Sequence, residues 1–343
     1  MSNFYSSKEL SVGVAIDETA VGTPQTTNNY TIIEADNVAF PTFNDLVVER
    51  RGGSSSGTII ASADVFHYTP GAMIEVSISG YMTDELFPIL TANAFGQAYS
   101  SNVLSIANAV VAHTTFEHGN TSPLANKTLS FAFNGIGGSG FDDCVVVPGC
   151  VITSLELTAD PNEDGGRMKF SLTATSRTPL TQGSTFSETL ETYGAYSTNY
   201  TFLGDFKDHT KVNNATAILK SFAMTIENPV VFSGNGGSGG TGAPQTYIRS
   251  IPEMVVTLNP VIKYDTNFDT LWELSRNQAT AIATPAFEMS DHATYNNGSA
   301  TRSIYIADAS VQELSWDEGE YLGLNVNMKV RGDADPSIYL KYS

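Results

Sequence analysis

One order of strand-like and helix-like segments occurs twice along this chain, and a fixed self-similarity constrains a fold more tightly than any local propensity. Met73-Ile-Glu-Val-Ser-Ile-Ser-Gly-Tyr-Met-Thr-Asp84 and the helical segment after it parallel Met254-Val-Val-Thr-Leu-Asn-Pro-Val-Ile-Lys-Tyr-Asp-Thr266 and its own helical segment. Upstream, Leu46-Val-Val-Glu-Arg50 corresponds to Met224-Thr-Ile-Glu-Asn228. Downstream, Val151–Leu157 with Met168–Ala174 parallels Val311–Trp316 with Leu322–Met328. Each copy reads as strand, glycine-rich loop, strand, helix, and then several strands ending in a hairpin. Both copies therefore face the same packing problem and are expected to solve it with the same layers.

Period-two alternation dominates, as in Lys127–Phe133, Lys169–Ala174 and Gly323–Val330, the pattern of strands with one buried face. Two segments depart from it with apolar residues at helical spacing. One is Asp84–Gly96, with Leu86, Ile89 and Leu90; the other is Asn267–Gln278, with Phe268, Leu271 and Trp272. Pro88 is compatible with the first helix only inside its opening turn. The expected fold is mainly β: two tandem β-sandwich or barrel domains, each with one flanking α-helix. The chain of 343 residues divides at the Thr/Ser-rich stretch Pro179–Tyr200 into residues 1–200, with an N-terminal arm, and residues 201–343.

Charge narrows the partners. Lys and Arg number 17 against 36 Asp and Glu, a net charge of −19. Residues 1–200 hold 7 basic and 20 acidic side chains, net −13, which leaves −6 for the remainder. Both copies repel phosphate, so neither grips nucleic acid through its backbone. Charged residues make up only 15%, so Ser, Thr, Asn and Gly must cover much of the surface. No stretch of 18 apolar residues suggests a membrane span, and MSNFYSSKEL lacks the pattern of a signal peptide. Cys144 and Cys150 could close a short disulfide loop, but a chain without an export signal favours reduced thiols.

Candidate chemistry is sparse. Asp160-Pro-Asn162-Glu-Asp164-Gly165 matches the start of a calcium loop, but its twelfth position is Ser171 instead of a bidentate Glu, so an acidic hairpin turn is expected. His113 and His118 flank a strand-like Thr-Thr-Phe-Glu and would face opposite ways. The adjacent carboxylates Asp84-Glu85 and Asp142-Asp143 also diverge. Neither a nucleophile elbow, nor a phosphate-binding loop leading to Lys-Ser/Thr, nor a dinucleotide fingerprint occurs. These residues predict no catalytic, metal or cofactor site. Trp272 and Trp316 fall at positions that read as packed.

With a duplicated β domain, one helix per copy, long loops and an acidic balance, the chain resembles the tail tube proteins of long-tailed bacteriophages. Ala15-Ile-Asp-Glu-Thr-Ala-Val-Gly-Thr-Pro24 is similar to the Glu-Thr-x-x-Gly-Thr-Pro opening of that family. The Val47-Val-Glu-Arg-Arg51 strand, the Gly71–Gly80 strand and the Thr83-Asp84-Glu85-Leu86 helix start follow in the family's order.

The resemblance implies a non-enzymatic virion protein, assembled in the host cytoplasm and located in the tail. It implies a homotrimer closing a pseudo-sixfold ring, stacked rings, other tail proteins at the tube ends, and DNA passing through an acidic lumen without specific binding. Ring-to-ring or inter-subunit contacts are expected from two glycine-rich loops. Arg51, Gly52, Gly53, Ser54 and Gly57 form one; Ser233, Gly234, Asn235, Gly236, Gly239 and Gly242 form the other. A β-sandwich adhesin or carbohydrate-binding protein is the alternative class, and a carboxylate-based hydrolase is a distant third.

Overall fold

The computed structural model describes residues 10–15, 30–39, 41, 47–50, 65–68, 74–97, 99–106, 114–117, 128–135, 144–178, 181–182, 201, 203–206, 209–233, 246–249, 254–277, 282–319, 321–332 and 336–342. Among these the protein is mainly β, with two α-helices. In the first half the elements are β1 (Leu10–Ala15), β2 (Thr31–Ile33), β3 (Ala35–Val38), β4 (Val47–Arg50), β5 (Val65–Tyr68), β6 (Ile74–Tyr81) and α1 (Leu86–Phe95). They continue with β7 (Val103–Ile106), β8 (Thr114–Glu117), β9 (Leu129–Gly135), β10 (Cys144–Ala159), β11 (Lys169–Ser176) and β12 (Thr181–Gln182). The second half opens with β13 (His209–Val212), β14 (Ala215–Thr216), β15 (Leu219–Glu227), β16 (Val230–Ser233), β17 (Thr246–Arg249), β18 (Val255–Leu258) and β19 (Val261–Lys263). It ends with α2 (Asp269–Asn277), β20 (Phe287–Ser290), β21 (Arg302–Ile306), β22 (Ala309–Glu318), β23 (Leu322–Val330) and β24 (Ile338–Tyr342).

The duplication is visible in the strand pairing. One antiparallel sheet runs β3-β6-β11-β10-β15, passes through β18 and β19 to β23, and ends on β22. Each half supplies the same sequence of positions: β3, β6, β11, β10 in the first and β15, β18 with β19, β23, β22 in the second. The irregularities coincide as well. Register slips between Ile152 and Ser154 in β10 and between Val311 and Glu313 in β22. It slips again between Ala35 and Asn37 in β3 and between Leu219 and Ser221 in β15. A bulge re-aims and twists its strand, so matching bulges give the two halves the same local curvature.

A second layer repeats in the same way. Its order is β2-β1-β9-β10-β12 in the first half and β14-β13-β20-β21-β24 in the second. Strand β10 serves both layers by turning a corner at Pro148-Gly149, where Pro lacks a ladder donor and Gly149 takes φ 69°. The second half turns between β21 and β22, at Ala307-Asp308. Proline acts differently in β18 and β19: Asn259-Pro260 breaks what is one continuous strand in β6, while the Pro260 carbonyl still accepts the Val326 N–H at 3.1 Å.

The structure moves one of the sequence correspondences by a strand. Met224–Asn228 belongs to β15, whose counterpart beside the helix-leading strand is β3; Leu46–Arg50 contains β4, the counterpart of β16. Short alternating runs carry the same period whichever strand they form, so periodicity alone could not separate these neighbours. Equivalence also reaches further out than the matched segments, to β1 and β2 against β13 and β14, and to β12 against β24.

Both expected helices form. Thr83 Oγ1 accepts the Leu86 N–H at 3.3 Å, Pro88 sits in the opening turn, and α1 ends at Gly96 with φ 65°, where Gln97 N–H reaches the Ala92 carbonyl at 3.1 Å. Leu86, Phe87, Leu90, Ala94 and Phe95 are buried while Pro88, Ile89 and Ala92 on one side are half-buried, and Phe87 stacks on Tyr342 of the second half at 5.4 Å. Helix α2 buries Leu271 and exposes Asp269, Thr270 and Glu273. One continuous apolar core runs from Val12 through Leu155 and Met224 to Leu340.

The close approach of β3 to β6 depends on a glycine. A Cβ at Gly80 would lie 2.2 Å from the Glu34 carbonyl oxygen and 2.9 Å from Ala35 Cα, both backbone atoms. Gly80→Ala is expected to push β3 away and to cost about 1–3 kcal/mol in urea unfolding. Gly204→Ala, which meets open space, should stay within about 0.5 kcal/mol of the parent. Equal stability of the two variants would contradict this account of the β3 edge.

Candidate assembly interface

The two halves meet edge to edge. Strand β10 pairs with β15 from Ser154 opposite Glu227 to Ala159 opposite Phe222. Two buried asparagines tie α1 to this seam: Asn93 Oδ1 accepts the Ile152 N–H at 2.8 Å, and Asn228 Nδ2 donates to the Ala94 carbonyl at 2.8 Å. A backbone bond from Asn228 N–H to the Thr153 carbonyl, at 2.9 Å, closes the contact. Each partner satisfies a buried polar group that would otherwise cost about 1–3 kcal/mol.

Further contacts come from the segment after α1. Strand β7 adds to β24, and β8 adds to the β16–β17 ribbon as a third strand. Ser337 donates twice to the Ile106 carbonyl, through N at 2.8 Å and Oγ at 2.9 Å. An ion pair completes the junction: Arg302 Nη2 lies 2.8 Å from both oxygens of Asp84, at the start of α1, and Nη1 lies 2.5 Å from Asp205. Burial alone would lower the Arg302 pKa, but Asp205 and Asp84 outweigh it and hold the guanidinium charged. Burial and a hydrogen bond to Asp84 push the neighbouring Tyr342 hydroxyl well above its usual range.

Two edges of the same sheet stay open. Among the described residues β3 pairs only with β6, and β22 only with β23. They are the counterparts of β15 and β10, the edges that join inside the chain. The contrast in burial follows: Leu157 of β10 is 0% exposed beneath the seam, whereas Trp316, at the matching place in β22, is 44% exposed. Trp316 contacts Trp272 of α2 and Tyr264, each with ring centroids 5.0 Å apart. Both tryptophans read as packed in the sequence; Trp316 departs from that reading, since among the described residues no strand lies beyond β22 to cover it.

One face of the sheet is lined by small polar side chains, including Ser77, Ser79, Ser171, Thr173, Ser154, Thr225, Thr257 and Asn327, brought into rows by the cross-strand register. Glu75, Glu156, Glu227 and Glu313 are exposed among them, as are Lys263, whose ammonium lies over the Tyr321 ring, and Lys329. Lys169 and Lys220 at the same face are held in ion pairs with Asp164 and Asp317. The opposite face carries the core residues Val76, Phe170, Leu155, Met224 and Val326.

The other sequence candidates scatter. Asp160 Oδ1 accepts from Asn162 N at 2.8 Å in a local turn, and the Lys169 ammonium holds the Asp164 carboxyl below its usual range. Among the described residues no group of ligating side chains could hold a metal. Cys150 is buried, and its thiol donates to the Val147 carbonyl at 3.4 Å. Ser233 ends β16, directly before the second glycine-rich stretch. Arg51, Gly52, Gly53, Ser54, Gly57, Gly234, Asn235, Gly236, Gly239 and Gly242 lie outside the described residues, as do His113, His118, Asp142 and Asp143. The strands on either side pair as β4–β5 and β16–β17, so both glycine-rich stretches fall between the strands of corresponding ribbons. Sequence reasoning missed Arg302, Asn93 and Asn228, whose partners sit 218, 59 and 134 positions away. No local spacing marks such contacts.

No protein-family model matches the chain, and no curated protein matches it.

The ion pair makes a direct test of the junction. Arg302→Met should leave Asp84 and Asp205 facing each other without a counter-charge and cost about 2 kcal/mol in urea unfolding. Arg302→Lys should recover little of this, because one ammonium cannot reproduce the fork. A fully stable Arg302→Met protein would show that the contact contributes nothing to holding the halves together.

Proposed function

We infer that this chain is the subunit of a ring-forming structural polymer, a tail tube whose rings stack into a conduit for DNA. The observation that carries the reading is the pair of open edges. Two equivalent units join through β10 and β15, and among the described residues the equivalents of those edges, the outer sides of β22 and β3, have no neighbouring strand at the two ends of the sheet. A contact between unlike patches repeats until it closes a ring or runs on as a filament. Closure also removes the aggregation hazard of free β edges. Three chains of two units each would close the pseudo-sixfold ring that the resemblance to tail tube proteins implies.

The polar face supports the conduit. A duplex sliding through a channel must not gain binding energy from the wall, and every phosphate neutralised by Lys or Arg adds favourable counterion release. Ser, Thr and Asn with a surplus of Glu supply a hydrated wall without that attraction, and the repulsion is screened beyond about 8 Å at physiological salt. The ribbons that carry the glycine-rich stretches are the proposed ring-to-ring contacts, since a glycine-rich sequence has long reach for its length. An adhesin would present its aromatics on loops; Trp316 lies instead on a strand edge.

Purified protein is expected to form rings or tubes in negative-stain micrographs, and deletion of Gly234–Gly242 should leave rings that no longer stack. Normal tubes from the deletion would remove the stacking role of that ribbon. A second test concerns the wall. Tubes of the parent should not retain short duplex DNA at low salt, whereas tubes carrying Glu75→Lys, Glu156→Lys, Glu227→Lys and Glu313→Lys should retain it, with binding that falls steeply as salt rises. Unchanged DNA behaviour would place this face outside the channel.

A further inference from the structure

Three Asn-Gly pairs occur in the chain, Asn134-Gly135, Asn235-Gly236 and Asn297-Gly298; the second lies outside the described residues, and the other two stand in opposite surroundings. We propose that Asn297-Gly298 is a site of self-modification, at which the asparagine loses ammonia through a cyclic imide with the help of the Lys341 ammonium. This chemistry is independent of ring assembly. It requires the backbone nitrogen after an asparagine to reach the carbon of that residue's side-chain amide, and glycine presents no Cβ to obstruct the approach.

Asn297 and Gly298 lie in the loop that joins β20 to β21. Thr301 N–H donates to Asp291 at 2.9 Å and Tyr295 stacks on Tyr305 at 3.7 Å, so the loop is anchored on the sheet. Within it, Asn297 N–H donates to the Thr294 carbonyl at 3.1 Å and the Asn297 carbonyl accepts from Ala300 at 3.0 Å. Asn297 Oδ1 accepts the Ser299 N–H at 2.8 Å, which turns the side-chain amide toward the residues that follow it and stabilises the oxyanion formed on attack. Gly298 is exposed, and its N–H has no hydrogen-bond partner among the described residues. A Cβ at Gly298 would meet no atom within 4 Å, so the space beside this nitrogen is open to solvent. Asn134-Gly135 differs on each count. Asn134 lies opposite Ser11 of β1 and Cys144 of β10, and Gly135 lies opposite Leu10. Paired on both sides, that backbone is held extended within the sheet.

Lys341 adds what the dipeptide alone does not supply. Its ammonium donates to the Asn297 carbonyl at 2.9 Å and to the Gly298 carbonyl at 3.4 Å. The Asn297 carbonyl belongs to the same peptide unit as the Gly298 N–H. Loss of that proton places negative charge largely on the carbonyl oxygen, through the resonance that keeps the unit planar, so a cation bonded to the oxygen favours the deprotonated form. Hydroxide takes the Gly298 amide proton, and the nitrogen forms a bond to Asn297 Cγ. The Cγ–Nδ2 bond then breaks, and ammonia leaves with a proton from water, which regenerates hydroxide. Water opens the imide at either carbonyl to give aspartate, or isoaspartate with the chain running through the side-chain carbon. One water enters for each ammonia released, and a new carboxylate is left beside Lys341.

Incubation of the purified full chain in mildly alkaline buffer, followed by digestion and mass spectrometry, tests the site. Peptides containing Asn297 should gain the mass of an amide-to-carboxylate exchange and separate into aspartyl and isoaspartyl forms, while those containing Asn134 stay unchanged. Gly298→Ala, whose added methyl meets open space, should fold normally and convert more slowly. Lys341→Gln should slow conversion on the order of tenfold, the equivalent of about one pKa unit at the reacting amide. Lys341→Arg, which keeps the charge, should recover most of the parent's rate, and in urea the parent and Lys341→Gln should convert equally fast. An Asn297 amide that outlasts that of Asn134 in the folded protein would overturn the site. A folded Lys341→Gln protein that converts as fast as the parent would overturn the part assigned to Lys341, as would a difference that persists in urea. Failure of Lys341→Arg to recover the rate would trace the loss to the shape of the loop and overturn the role of the charge.

Discussion

The pairing of β10 with β15 is the contact on which the rest of the molecule depends. Backbone groups at a sheet edge must find partners, and here one half of the chain supplies them to the other. The join makes a continuous sheet from two short ones, fixes α1 between the halves, and lets a single apolar core extend through both. It also fixes the outer edges. Because the halves are equivalent, the edges left over are complementary in the same sense as those already joined. Among the described residues the outer edges of β3 and β22 are left without a partner strand.

The proposed junction between chains would nevertheless differ from the internal one. Between α1, which ends at Phe95, and β9, which starts at Leu129, the first half has room for β7 and β8 to cross onto the second. Between α2, which ends at Asn277, and β20, which starts at Phe287, no comparable length exists. The helices reflect this difference. Helix α1 carries no charged residue and is mostly buried, while α2 exposes Asp269 and Glu273. In the proposed ring, a permanent seam inside the chain and a lighter, more polar one between chains would suit a subunit that stays soluble before it assembles.

Much of this was legible in the sequence because duplication and alternation are written at short range. The helices at Leu86–Phe95 and Asp269–Asn277, the hairpins β10–β11 and β22–β23, and the order of elements follow from period and turn residues. The misassignment of Leu46–Arg50 to Met224–Asn228 shows the limit, since an alternating run reveals that a strand exists and not which neighbour it takes. Trp316 marks a second limit: period two places it on the core side of β22, yet it is exposed, with no strand beyond that edge among the described residues. The clamp of Arg302 on Asp84 and Asp205, and the bonds of Asn93 and Asn228, depend on tertiary approach and leave no pattern in the residues around them.

Hydrogen exchange on the edge strands tests the central claim most directly, because it compares the junction already formed with the one assembly must form. In the monomer, amides of β10 and β15 along their shared ladder should exchange slowly, while outward-pointing amides of β3 and β22 exchange at rates close to those of free backbone. In assembled particles β3 and β22 should become as protected as β10 and β15. Assembled particles in which β3 and β22 still exchange freely would contradict the account, since their subunits would be held together through some other surface.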